Sequence, residues 1–227
     1  MPAPYTIVYE DNHLLIVNKK SGVLVQGDKT GDKPLLDILK EYIREKYQKP
    51  GEVFLGTVHR LDRPVSGLVV FARTSKALER MNEMFRTKAI QKTYWAITHK
   101  KPAEEQGTLV HWLVKDEAKN FTTAYKKEVN GSLRAELSYR LVCISEGMYL
   151  LEVLPVTGRP HQIRVQLAQI GCAIKGDIKY GFPKPNPDNS ICLHARQLDF
   201  IHPVKKEPIQ CIAELPEHSY WFPFNKV

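Results

Sequence analysis

QKTYWAITH (91–99), GTLVHWLVK (107–115), FTTAYKK (121–127), SLRAELSYRLVCIS (132–145) and MYLLEVLPV (148–156) follow one another, separated by short polar gaps. Each run is rich in β-branched and aromatic residues and bounded by turn-forming ones, so each reads as a strand. Strand after strand with no helical period between them predicts a large, mainly antiparallel sheet. Working outward, YTIVY (5–9) and HLLIVNK (13–19) flank the turn cluster Glu10-Asp11-Asn12 and read as a hairpin. Pro34 opens a helix to about Tyr47, with Leu35, Ile38, Leu39, Tyr42, Ile43 and Tyr47 on one stripe, and Pro50-Gly51 ends that unit.

Strands are expected at 53–58 and 67–72, around the segment HRLDRPVS (59–66). A second helix is expected over 75–88, with Leu78, Met81, Met84 and Phe85 inward. A third runs from Pro160 to about Ile170 and closes at Gly171. FPKPNPDN (182–189) is a loop, and 193–200, 208–214 and the tail add short strands. Few helices and many strands make the class α+β, with a large mixed, mostly antiparallel sheet. No linker divides the chain, so a single domain over 1–227 is expected, with two sheet lobes as a variant of that plan.

At 43% hydrophobic and 26% charged residues the chain is neither disordered nor membrane-spanning; its longest purely apolar runs, such as Leu68 to Ala72, fall far short of the ~20 residues a spanning helix needs. The N-terminus lacks a basic stretch followed by an apolar one, so no secretory signal is read there. Cys143, Cys172, Cys192 and Cys211 form no CxxC, which points to reduced structural thiols and a cytoplasmic protein rather than a zinc knuckle or disulfide framework. Thirty-three basic against 25 acidic residues leave a charge of +8, compatible with a polyanionic partner or with plain surface charge.

Three residues invite chemistry. Asp62 sits in a cluster of ionisable residues between two apolar strands, two before Pro64, where its side chain can face a cleft; the alternative is a turn former. Arg164 lies on or beside the apolar face formed by Ile163, Leu167 and Ile170. A guanidinium there needs an anionic partner, for which Asp62 is the nominee, unless it snorkels to solvent. Tyr94 alternates with Trp95 across a strand, so one ring faces the core and the other a cleft or solvent.

HRLDRPVSG, QKTYWAI, TGRPHQIRVQLA with GCAIKGDIKYG, LHARQLDFIHP and the early VNKKSGVLV stand in the order and spacing of the RluA-type pseudouridine synthases, which the chain resembles over roughly residues 5 to 215. The resemblance implies a mixed, mostly antiparallel sheet with a central RNA-binding cleft, no cofactor and no metal. It also implies an essential aspartate, a tyrosine and an arginine, which fall on Asp62, Tyr94 and Arg164. Arg60 matches the arginine that helps displace the target base. Val65 replaces the usual threonine before Ser-Gly and Lys20 the usual proline after Asn-Lys, departures that bear on loop geometry. The S4-like RNA-binding domain of longer relatives is expected to be absent, and the chain is expected to act as a monomer.

On this reading the N1–C1′ bond of a uridine breaks and the base rejoins through C5. Asp62 attacks C1′ or C6, or drives a glycal route by taking a proton from the sugar. Arg164 keeps Asp62 ionised, Tyr94 stacks on the uracil and serves in proton removal from C5, and Ile163 packs on its other face. Arg159 and His161 at the start of the third helix, with Lys88, Lys92, Lys175, Lys179 and Arg196, form a candidate phosphate track, each lysine otherwise being a solvated charge. The RNA is ribosomal, transfer or both. A non-catalytic RNA-binding module would share the basic groove but has no need of Asp62, Tyr94 and Arg164. A metalloenzyme is disfavoured because the eight histidines show no HxxxH, HxH or HExxH spacing.

Overall fold

The computed structural model describes residues 3–28 and 30–227. In chain order its elements are β1 (Tyr5–Glu10), β2 (Leu14–Lys19), α1 (Leu35–Lys46), β3 (Gly56–Thr57), β4 (Ser66–Ala72), α2 (Ser75–Arg86), β5 (Gln91–Thr98), β6 (Gln106–Asp116), β7 (Phe121–Tyr125), β8 (Leu133–Ser145), β9 (Met148–Pro155), α3 (Gln162–Gln169), β10 (Leu193–Ile201) and β11 (Pro208–Ile212). The strands form the large, mostly antiparallel sheet expected from the sequence, with three α-helices beside it. The chain clusters into two compact units, residues 1–91 with 196–214 and residues 92–195 with 215–227.

In the first unit the strand order is β1-β2-β4-β10, with β3 on β4 and β11 on β10. β2 and β4 pair antiparallel, Leu15 opposite Phe71 and Val17 opposite Val69. Every residue of β4 is buried, which is why SGLVVFA reads as an unbroken run rather than an alternation. α1 buries Leu35, Leu39 and Ile43 at i, i+4 and i+8, with Asp37 in its first turn and Arg44 and Lys46 in its last, as the helix dipole favours. α2 is capped by Thr74, whose hydroxyl accepts from the Ala77 N–H at 3.2 Å. Met81 and Ala77 of α2 pack on Leu14, Ile16, Leu68 and Val70 in this unit's core.

In the second unit the order is β5-β9-β8-β6-β7. Tyr94 stands opposite Val153, and Leu113 opposite both Leu133 and Ala124. Val165 of α3 packs against Leu113, Ala135 and Tyr180.

Three expectations change. Of 53–58 only Gly56–Thr57 is strand, because Val53 and Leu55 are buried without joining a ladder. The third helix begins at Gln162, not Pro160: His161 takes a left-handed conformation (φ 53°) that turns the chain into it. The tail ends in a short 3-10 turn, Phe222–Phe224, rather than a strand; its Pro223 has no N–H to give a ladder.

Candidate active site

Asp62 and Arg60 belong to the first unit. The Asp62 turn is closed by the Val65 N–H donating to the Asp62 carbonyl at 3.0 Å, and the Val65 side chain, where a threonine is usual, is buried. His59 accepts from the Val70 N–H at 3.1 Å and stacks on Phe85, fixing the entry to the turn. Its exit is held from the loop after β2. The Gly22 N–H donates to the Arg63 carbonyl at 2.8 Å, the Arg63 Nε donates to the Gly22 carbonyl at 2.9 Å, and Arg63 pairs with Asp32. Asp62 itself is half-buried and Arg60 exposed.

Lys19, which the sequence reading passed over, supports this turn. It is wholly buried, and its Nζ donates to the carbonyls of Lys20 (3.0 Å), Val23 (2.9 Å) and Arg63 (3.3 Å). Burial pushes its pKa down to about 7, opposed by the negative charge of Asp62 and aided by the positive charge of Arg63. An Asn-Lys pair closing an apolar strand is the only signal in the sequence, since the strand period puts Lys19 on the same side as Val17. Lys20, which replaces the usual proline, is exposed, and its N–H donates to the Pro4 carbonyl at 2.9 Å, a bond a proline could not make.

Tyr94, Ile163 and Arg164 belong to the second unit. On β5, Thr93 and Trp95 are buried while Lys92 and Tyr94 share the other face half-buried, so Trp95 is the core aromatic. Gly158 follows β9 close to the Lys92 head, its hypothetical Cβ lying 3.8 Å from Nζ. Arg164 is only 5% exposed. It does not snorkel. Its Nε and one Nη donate to the two oxygens of Asp177 at 2.7 and 2.9 Å, and its guanidinium lies 5.1 Å over the Tyr180 ring. Asp177 is 1% exposed, so the pair is a desolvated, bidentate fork. The sequence placed this arginine on or beside the helix's apolar face and asked for an anion; Asp177, within the quoted GCAIKGDIKYG, supplies one and was not singled out.

Tyr180 ties the fork to the sheet. Its hydroxyl accepts from the Thr122 N–H at 2.9 Å and meets His161 Nδ1 at 2.7 Å. His161, a candidate for the phosphate track, is buried there. Gln162, also unanticipated, organises the approach to α3: its carbonyl oxygen accepts from the Arg159 N–H (3.0 Å) and the Thr157 hydroxyl (2.7 Å), and its amide donates to the Glu136 carbonyl (3.0 Å). Arg159 is half-exposed, with Nε on the Arg134 carbonyl at 3.2 Å. Lys175 stands over two aromatic rings, Lys179 reaches the Asn120 carbonyl, and Lys88 is exposed. Arg196, in the first unit, is half-buried on the Ala213 carbonyl, and burial lowers its pKa.

The RNA pseudouridylate synthase family model matches residues 13–169, a span that holds Asp62, Tyr94 and Arg164. The chain belongs to that family. Among its relatives, the ribosomal large subunit pseudouridine synthase C of Rickettsia bellii is 30% identical over 97% of this chain and 70% of its own length. The ribosomal large subunit pseudouridine synthase D of Zymomonas mobilis is 33% identical over 94% and 70%. A solved structure of human RNA pseudouridylate synthase domain containing 4 superposes with a TM-score of 0.78 at 25% identity, covering 93% of this chain and 88% of that one. The human domain containing 1 protein shares the fold, with a TM-score of 0.74 at 22% identity. The RluA-type resemblance read from the sequence is thus borne out, and the protein is an RNA pseudouridine synthase acting without any helix long and apolar enough to cross a membrane among the described residues.

Proposed function

We propose that this enzyme isomerises uridines of large-subunit ribosomal RNA, with Asp62, Tyr94 and Arg164 acting on the same uridine within one catalytic domain. The observation that carries the reading is the Arg164–Asp177 fork. A buried ion pair is a poor stabiliser compared with an apolar core, so a fixed guanidinium beneath a site is better explained by what it orients. Asp177 holds the guanidinium through Nε and one Nη, which fixes its plane.

Asp62 then supplies the ionised carboxylate that adds to C1′ or C6, or takes a proton from the sugar on a glycal route. The N1–C1′ bond breaks, C5 bonds to C1′, the C5 proton leaves and N1 gains one, so substrate and product are isomers. Tyr94 stacks on the uracil from one side and serves in removal of the C5 proton; Ile163 closes the other side. Arg60 displaces the base from its stack, an opening that costs a few kcal/mol (roughly) and is offset by phosphate contacts from Lys92 and Arg159. The ribosomal target rests on the names of the relatives. Mapping pseudouridines in ribosomal RNA from cells with and without the gene tests it: loss of one or more large-subunit sites supports the assignment, and an unchanged ribosomal map with lost transfer-RNA sites refutes it.

A further inference from the structure

Within the second unit lies a cavity of about 620 Å³ whose walls include Lys175 but none of the residues assigned to catalysis. His99 and Lys100 beyond β5, Lys175, Phe182, Lys184 and Tyr220 carry its chemistry. The Lys175 ammonium stands 4.3 Å from the centroid of Tyr220 and 5.6 Å from that of Phe182. The His99 ring lies 5.5 Å from Phe182, and its Nε2 is 3.5 Å from Lys175 Nζ. Burial and then the Lys175 charge hold His99 below the ordinary histidine value, so its ring is neutral at physiological pH. The neighbours of Lys175 are therefore rings and a neutral imidazole; among the described residues no carboxylate pairs with it. Its charge, with those of the exposed Lys100 and Lys184, is available to an anion.

The walls are preformed. The Lys175 N–H donates to the Ile97 carbonyl and its carbonyl accepts from the Cys192 N–H, each at 2.9 Å, which fastens the lysine between β5 and the approach to β10. Asn186 is buried and anchors the loop bearing Phe182 and Lys184, donating to the Ser190 hydroxyl at 3.4 Å. Gly176 (φ +85°) passes so close beneath it that a Cβ would lie 2.6 Å from both Asn186 Nδ2 and the Ser190 carbonyl. Pro183, Pro185 and Pro187 fix the loop's φ angles.

Flat rings in a cavity lined by three lysines match one ligand chemistry, an unstacked nucleotide: the base on the aromatic faces, the phosphates on the lysines. A base inside a duplex has no free face to offer. We propose that this cavity is a second RNA subsite that takes one unpaired nucleotide of the substrate, distinct from the uridine that is isomerised. This rests on the RNA-modifying reading above and adds a requirement that the substrate carry an unpaired nucleotide beside its target.

Fluorescein-labelled dodecauridylate and an RNA duplex of the same length are the probes, with the full chain. Phe182→Leu and Tyr220→Leu keep apolar volume and remove the π face. Each should raise the Kd for dodecauridylate roughly 5- to 100-fold, as lost base–aromatic stacks do, and change duplex binding little. Phe222→Ala, an exposed aromatic outside the cavity, should leave Kd unchanged. Lys184→Gln should make the salt slope of log Kd shallower by about 0.7. Wild-type affinity for dodecauridylate no better than for the duplex, or unchanged Kd in both leucine variants with native melting curves, overturns the subsite. Turnover on large-subunit ribosomal RNA separates the two readings. No pseudouridine from the wild type counts against the proposed activity. Wild-type turnover with unchanged KM and Kd in the leucine variants counts against the cavity alone.

Discussion

Replacing Asp177 by asparagine tests the fork beneath α3. The two charge-assisted bonds at 2.7 and 2.9 Å are made where both side chains are almost wholly withdrawn from water. Asparagine keeps one acceptor but turns its amide N–H towards a guanidinium N–H, so one bond is lost, a donor faces a donor and Arg164 is left charged. Breaking a buried pair from one side costs about 3–5 kcal/mol, against about 1 kcal/mol for an ordinary neutral hydrogen bond. For a chain of this size that is a fall in Tm of about 6–20 °C, at roughly 2–4 °C per kcal/mol. Thermal and urea unfolding measure it, alongside pseudouridine formation. The double variant Arg164→Met with Asp177→Leu removes both charges while keeping volume. It should recover most of the stability, to within about 1–2 kcal/mol of the wild type, yet remain inactive. Stability and activity thereby come apart, as expected if the fork exists to aim Arg164. An Asp177→Asn protein that loses less than about 1 kcal/mol, or a double variant that turns over RNA, refutes the reasoning.

Lys19 gives a pH signature. Its pKa is about 7 folded and 10.5 unfolded, so between those values the unfolded chain binds the extra proton and stability rises with pH; the cost of burying the charge is greatest below about 7. Over pH 7 to 9 the wild type should gain about 2 kcal/mol relative to Lys19→Met, and parallel stability curves would remove Lys19's titration from the picture. Tyr180→Phe leaves the buried Thr122 N–H without its acceptor and should cost about 1–3 kcal/mol by urea unfolding, a loss near zero showing that His161 and Thr122 find other partners. Arg159→Ala should make the salt dependence of RNA affinity shallower by about 0.7, and an unchanged slope takes Arg159 off the phosphate track.

The strands from β5 to β9 were legible because alternation and turn residues mark each one. The hairpin of β1 and β2 was legible for the same reason, and α1 and α2 because their apolar stripes are regular. The start of α3 was not, since a left-handed His161 is set by its contact with Tyr180, which lies 19 residues on. The helix period placed Arg164 on or beside the apolar face and left snorkelling open; the structure buries it. Its partner was not legible: Asp177 lies 13 residues away beyond a turn, and spacing carries no information about which carboxylate closes on a guanidinium across such a connection. Lys19 was hidden because a lysine ending a strand is ordinarily solvated, and only the three carbonyls converging on its Nζ make burial tolerable. The cavity around Lys175 was hidden too, because Tyr220 comes from the distant C-terminal segment and nothing in its sequence neighbourhood points back to Phe182.

The role of Asp62 is the centre of the proposed chemistry, and Asp62→Asn probes it with almost no change in size. Purified wild type and variant are incubated with unmodified large-subunit ribosomal RNA, and pseudouridine is counted site by site with single-turnover kinetics, after melting curves confirm that both are folded. The wild type should convert specific uridines, and the variant should bind the RNA as tightly yet convert them at least ~100-fold more slowly, the least that loss of a required carboxylate brings. A folded Asp62→Asn protein that modifies the same uridines within about tenfold of the wild-type rate contradicts the assignment, since a bystander carboxylate is worth no more than that factor, ~1.4 kcal/mol.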